Sequence, residues 1–170
     1  ESFWSLIWDF SEIKGSKGTK ISENLALMPG AKFFPDAKLN YAENLLRAAD
    51  NAIAIEEFRE DGFSNALTRK ELENKALKMA GWMKSKGVKK GDRVCCYMPN
   101  CSETVITMLA TSALGAIFSS CSSDFGIEGV IDRFEQIEPK IMIAANGYLY
   151  NGKVIDRSEE INTISKRLPS

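Results

Sequence analysis

The segment from Asp92 to Ser123 constrains the fold more than any other part of the chain. It opens with the short apolar run Val94 to Tyr97, which follows a charged turn and has the pattern of a buried strand. Apolar residues at helical spacing come next, and Gly115 ends that helix before a second apolar run, Ala116 to Phe118. Because a strand–helix–strand unit closes into a parallel sheet, the segment predicts an α/β fold.

The same alternation of strands and helices continues on both sides of that segment. Two strand patterns, Ala52–Phe58 and Phe63–Leu67, flank a polar turn and predict a β-hairpin. A further strand is predicted at Ile141–Ala144, between two amphipathic helices. The predicted fold class is therefore α/β, with a mainly parallel sheet flanked by helices. The Ser-rich loop predicted at Ser119 to Asp124 lies at the carboxyl edge of that sheet, where ligands usually bind.

Helix starts are predicted where a polar residue is followed three positions later by a glutamate. Such pairs include Asn40 with Glu43, Thr68 with Glu71, Asn100 with Glu103, and Asp156 with Glu159. The helix after Asn40 is predicted to extend to Ala49. Before it, Phe3 to Trp8 has helical spacing with an aromatic face, and two prolines bracket an irregular segment that is held by neighbouring phenylalanines.

Charge and cysteine content exclude several classes of function. Lys and Arg number 22 against 23 Asp and Glu, so the net charge of -1 gives no general case for nucleic acid or an acidic membrane as a partner. The chain has no histidine, and Cys95, Cys96, Cys101 and Cys121 lack paired metal-ligand spacing, which argues against a zinc site. We interpret them as free thiols of a reduced, cytoplasmic protein. Because the chain starts with Glu1, we expect a piece of a longer protein.

One candidate ligand-binding loop contains Ser122, Ser123, Asp124 and Phe125. It is predicted to lie between a strand and the start of a helix, where free backbone N–H groups and the helix dipole favour an anion. The alternative is structural, because Ser123 or Asp124 could serve only to cap that helix.

A second candidate loop contains Tyr150, Asn151, Gly152 and Lys153. It offers an aromatic face, a tight turn and a cation within four residues. That combination suits a nucleotide with a phosphate, through stacking and a charge-assisted contact. An exposed turn that binds nothing is the alternative interpretation.

The chain also resembles the acyl-CoA synthetases that form acyl-adenylates. The resemblance is carried by the segment GVKKGDRVCCYMPNCSETVITMLATSALGAIFSSCSSDFG, whose turn, helix and return strand have the order and spacing of that family. Three further segments resemble the acetoacetate-activating members more than those that use acetate or propionate. They are PGAKFFPDAKLNYAENLL, SSCSSDFGIEGVIDRFEQIEPK and GYLYNGK.

This resemblance implies a division of the chain and a reaction. Residues 1–44 resemble the amino-terminal cap of the short-chain synthetases, and residues 45–170 the first part of their AMP-binding domain. The implied reaction joins acetoacetate to ATP, with Mg²⁺, to give an acyl-adenylate and pyrophosphate, and the CoA thiol then displaces AMP. The family's ATP and Mg²⁺ sites and its catalytic lysine match nothing here, so no catalytic residue is assigned and the piece alone is expected to be inactive. Its expected partners are these small molecules and the remainder of its own chain, with no nucleic acid or membrane.

Two CoA-contacting regions of the family fall on the two candidate loops. The second loop keeps a glycine, Gly152, and a cation, Lys153, but has Tyr150 in place of the family's first arginine. The first loop, from Ser122 to Asp124, replaces an aromatic-Gly-Gly sequence. Two other functions stay open: a ligase of the same family that uses acetate, propionate or butyrate, and a non-catalytic module that binds CoA or a protein.

Overall fold

The structure, a computed structural model, describes residues 2–168 and forms two compact units that meet in sequence at Arg47 and Ala48. The helices are α1 (Ser2–Phe10), α2 (Tyr41–Leu45), α3 (Arg69–Ser85), α4 (Ser102–Ala113), α5 (Ile127–Glu135) and α6 (Ser158–Arg167). The strands are β1 (Gly15–Ser16), β2 (Ser22–Glu23), β3 (Lys32–Phe33), β4 (Lys38–Leu39), β5 (Ile53–Phe58), β6 (Ser64–Thr68), β7 (Arg93–Tyr97), β8 (Ile117–Cys121), β9 (Ile141–Ala144), β10 (Gly147–Tyr150) and β11 (Lys153–Asp156).

The first unit is built around the aromatic face of α1, and the predicted helix there is confirmed. Trp8 is buried and its ring centroid lies 4.9 Å from that of Phe34, while Trp4 and Phe33 are 4.3 Å apart. Short antiparallel pairs, β1 with β4 and β2 with β3, hold the segments between the helices. The aromatic contacts thus supply the core that such short strands lack.

The cap predicted at the start of α2 is confirmed, but its predicted length is wrong. The Asn40 side-chain oxygen accepts a hydrogen bond from the Glu43 N–H at 3.1 Å. The helix ends at Leu45 rather than at Ala49. Just beyond it, the Arg47 guanidinium donates to two carbonyl oxygens that follow α1, each at 2.7 Å.

The second unit contains a parallel sheet with the strand order β8-β7-β9, which confirms the predicted α/β fold. Tyr97, the last residue of β7, lies opposite Cys121 of β8 and Ala144 of β9, so the three strands end at one edge. Ser119 to Cys121 belong to β8, and their assignment to a loop was wrong. The strand β8 extends further because its polar residues continue the ladder with β7.

Helices cover both faces of this sheet. Cys95 and Tyr97 pack on one face with Phe134 of α5 and Ile164 of α6. On the opposite face, Val94 packs with residues of α3 and α4. Because successive residues of a strand point to opposite faces, the central strand is buried on both sides, as parallel strands usually are.

Two antiparallel hairpins accompany the sheet. The first, β5 with β6, and the capping box at the start of α3 were predicted and are confirmed. The second, β10 with β11, was not predicted as a hairpin; only its turn was. Asn151 and Gly152 both have positive φ angles, 51° and 71°, as a tight two-residue hairpin turn requires.

The predicted cap of α4 at Asn100 is wrong. The helix starts at Ser102, so the residue at the capping position is Cys101, and Asn100 lies one residue too early. The Ser102 N–H instead donates to the Glu57 carboxylate at 3.1 Å. A strand 45 residues earlier therefore supplies the acceptor for the first turn of this helix. Within residues 2–168, no helix is long and apolar enough to span a membrane.

Candidate functional site

One cleft of about 430 Å³ opens at the carboxyl edge of the parallel sheet. Each of the three strands contributes to it through the residues that follow it. The lining residues are Pro99 and Asn100 after β7, Ser122, Ser123 and Asp124 after β8, and Tyr148 and Tyr150 in the hairpin after β9. The chain leaves β7 toward β8 on one side and returns to β9 on the other, so the cleft lies where the strand order reverses. That position is the usual ligand site of an open parallel sheet.

The structure brings the two predicted loops together in this cleft. Ser122, Ser123 and Asp124 from the first loop share the lining with Tyr150 from the second. Asn100 and Tyr148 also line the cleft and were not predicted to do so. Asn100 has the pattern of a helix cap, and Tyr148 lies outside both predicted loops, so neither carries a signal for ligand binding.

The other four predicted residues adjoin the cleft rather than line it. The Phe125 ring packs on the core that contains Tyr97, and the Arg133 guanidinium carbon lies 4.7 Å from the ring centroid. Asn151 and Gly152 form the hairpin turn, and the Gly152 N–H donates to the Glu60 carboxylate at 3.0 Å. Lys153 is exposed and pairs across the hairpin with Tyr150.

Tyr97 holds the first loop in place. Its hydroxyl lies 3.0 Å from the Ser123 carbonyl oxygen and 2.7 Å from the Phe125 carbonyl oxygen. Burial raises the pKa of this hydroxyl above its usual value, so the group keeps the proton that it donates. This role leaves no signal in the sequence, because Tyr97 ends an apolar strand and has the pattern of a core residue.

Neither Ser123 nor Asp124 caps a helix, so that alternative is wrong. The next helix, α5, starts at Ile127 after Gly126 and therefore lies beyond both side chains. Ser123 is 2% exposed, and its Oγ has no hydrogen-bond partner among residues 2–168. A buried hydroxyl without a partner is uncommon in folded proteins and needs an explanation.

Arg157, which was not predicted to have a role, supports Tyr148 in the lining of the cleft. Its guanidinium donates to the Tyr148 hydroxyl at 3.3 Å and to the Glu160 carboxylate at 2.9 Å. These hydrogen bonds, first that to Tyr148 and then that to Glu160, raise the pKa of the arginine, which stays charged. Tyr148 is therefore held in place by a charged group.

The chemistry of the lining suits binding and orientation. It offers two serine hydroxyls, one amide, two aromatic rings and a single carboxylate, that of Asp124. These groups can hydrogen-bond polar atoms and stack on a planar ring. In the part of the chain that the structure describes, no group of three or more Cys, Asp or Glu residues is arranged to hold a metal ion.

A second, larger groove of about 600 Å³ lies between α3, α4 and β9. Met79, Trp82 and Ile106 are among its lining residues, and the surface is mainly apolar. Neither predicted loop reaches it, so it is separate from the cleft described above.

Similarity to known proteins identifies the family to which the chain belongs. A family model described as AMP-binding enzyme matches residues 43–169, which is most of the chain. The chain therefore belongs to the AMP-binding enzyme family, and the resemblance to adenylate-forming acyl-CoA synthetases is confirmed.

The chain is similar to particular enzymes within this family. The chain is 42% identical to an acetoacetyl-coenzyme A synthetase of Rhizobium meliloti (strain 1021), over 98% of this chain and 26% of that protein. A malonamoyl-CoA synthetase of Penicillium aethiopicum is 34% identical over 95% of this chain and 24% of that protein. The solved structure of an acetoacetyl-CoA synthetase from Streptomyces lividans superposes with a TM-score of 0.92 at 35% identity, covering 98% of this chain and 26% of that one. The chain thus spans about a quarter of the length of these relatives.

Proposed function

We propose that the chain is the amino-terminal part of an ATP-dependent acid–thiol ligase. The enzyme would activate acetoacetate as an acyl-adenylate and transfer it to CoA, with release of AMP and pyrophosphate. Support comes from the relatives, because an acetoacetyl-CoA synthetase matches at 42% identity, whereas a ligase named for another acid matches at 34%. We further propose that residues 1–44 form a cap, that residues 45–170 begin the AMP-binding domain, and that the enzyme is cytoplasmic. Its four free cysteines support that location.

Within this enzyme, we propose that the cleft at the carboxyl edge binds CoA. The observation that carries this proposal is the meeting of the two predicted loops, through Ser122 to Asp124 and Tyr150. CoA has a planar adenine, amide groups and phosphates. The tyrosine rings can stack on the adenine, and the serine hydroxyls can hydrogen-bond the amide groups. Lys153, beside the cleft, can contact a phosphate. ATP and Mg²⁺ would bind to residues that this chain does not contain.

The test is an assay of AMP release by the full-length enzyme with acetoacetate, acetate, propionate and butyrate, each with ATP and CoA. We expect the highest kcat/KM with acetoacetate. A higher value with one of the other acids would favour a related short-chain ligase. CoA binding without AMP release from any acid would favour the non-catalytic module.

A further inference from the structure

The hydroxyl of Tyr97 contacts the Ser122–Phe125 loop, whereas its ring packs in the core. The Tyr97 side chain is fully buried in the same cluster as Ile164, and a phenylalanine ring would fill that space equally well. What the hydroxyl adds is its position between two backbone carbonyls, those of Ser123 and Phe125. Because a hydroxyl has one proton, both carbonyl oxygens converge on a single donor.

The segment held in this way is part of the lining of the cleft. Asp124 lies between the two anchored carbonyls, and Ser123 contributes one of them directly. Both residues line the cleft, so the hydroxyl fixes the backbone from which their side chains project. The loop is therefore held from the end of the central strand.

The same loop contains a serine hydroxyl that forms no hydrogen bond within the described residues. Ser123 is almost fully buried, and its Oγ has no hydrogen-bond partner among the described residues. Keeping such a group costs free energy relative to an apolar side chain of similar size. A hydrogen bond to a ligand in the cleft would satisfy the hydroxyl and would account for its presence.

We infer that Tyr97 is a positioning residue, which holds the Ser122–Phe125 loop so that the Ser123 hydroxyl meets a polar, uncharged group of the ligand. This inference rests on the proposed function, under which the ligand is CoA and the group is an amide of its pantetheine arm. Tyr97 touches no reacting atom; it acts through the loop.

The experiment compares two variants of the full-length enzyme, Tyr97→Phe and Ile164→Val. Both alter the same buried cluster, but only the first removes the contact with the loop. For Tyr97→Phe we expect the KM for CoA to rise about three- to tenfold, the loss of one hydrogen bond, while the KM for ATP changes less than twofold. For Ile164→Val we expect neither KM to change by more than twofold.

Two results would overturn the inference: an equal rise in both KM values for Tyr97→Phe, or a KM for CoA that matches the wild-type value.

If Tyr97→Phe does not fold, Ser123→Ala provides the test, because it removes the unpaired Ser123 hydroxyl directly. We expect Ser123→Ala to raise the KM for CoA about threefold or more without lowering the melting temperature. An unchanged KM for CoA in that variant would contradict the inference. Failure of the proposed function looks different, because the wild-type enzyme would then release no AMP with CoA and acetoacetate.

Discussion

Replacement of Glu57 by alanine should destabilise the protein through a helix that lies 45 residues later in sequence. The Glu57 carboxylate on β5 accepts a hydrogen bond from the Ser102 N–H at 3.1 Å, at the start of the 12-residue helix α4. Ser102 is buried, so water replaces this acceptor poorly after the substitution. The carboxylate also lies at the positive end of the helix dipole.

The expected loss follows from these two contributions. Removal of a helix cap costs about 1 kcal/mol, and loss of a negative charge at a helix start about 0.3–1 kcal/mol. The sum is about 1–2 kcal/mol, which lowers the melting temperature of a protein of this size by about 2–8 °C. Thermal unfolding followed by circular dichroism measures this change. Glu57→Gln keeps an oxygen acceptor without the charge and should lose less than Glu57→Ala.

Glu56→Ala is the matched control. Glu56 is the preceding residue of the same strand, is exposed, and points to the opposite face, so its removal changes the net charge equally without touching α4. We expect Glu56→Ala to shift the melting temperature by less than about 2 °C. Equal shifts for the two alanine variants would refute the reasoning, because a general charge effect would then explain both.

Two further predictions concern the thiols and the second loop. Burial raises the pKa of the Cys95 and Cys96 thiols to about 12, so both stay protonated at pH 8, and their alkylation should lag behind that of the half-buried Cys101. Mass spectrometry after brief iodoacetamide treatment measures this order, and labelling of all three at one rate would contradict it. In the full-length enzyme, Lys153→Ala should raise the KM for CoA about two- to tenfold and change the KM for ATP by less than twofold. Lys166→Ala, which removes another exposed lysine, is the control. Equal changes in both KM values would count against the contact with CoA.

The sequence predicted those parts of the fold that depend on local pattern. The run Val94 to Tyr97, the helix ended by Gly115 and the capping box at Thr68 each involve residues within a few positions of one another, and the structure confirms them. The hairpin of β10 and β11 was missed because its four-residue strands are too short for a clear alternation, although its turn was recognised.

Contacts between residues that are far apart in sequence could not be predicted from local sequence patterns. Nothing near Ser102 indicates that Glu57 supplies its acceptor, and the local pair at Asn100 and Glu103 pointed to the wrong start. The same holds for the site. Two of its loops were predicted because their residue types suit a ligand, whereas Tyr97 and Arg157 act through hydrogen bonds that only the folded chain forms.

Under the proposed function, the two loops at the carboxyl edge of the sheet form one CoA site. Hydrogen–deuterium exchange of the full-length enzyme, with and without saturating CoA, tests it directly. We predict slower exchange in both segments, residues 122–125 and 148–153, when CoA is bound. Slower exchange in other parts of the enzyme, with these two segments unchanged, would contradict a CoA site at this edge.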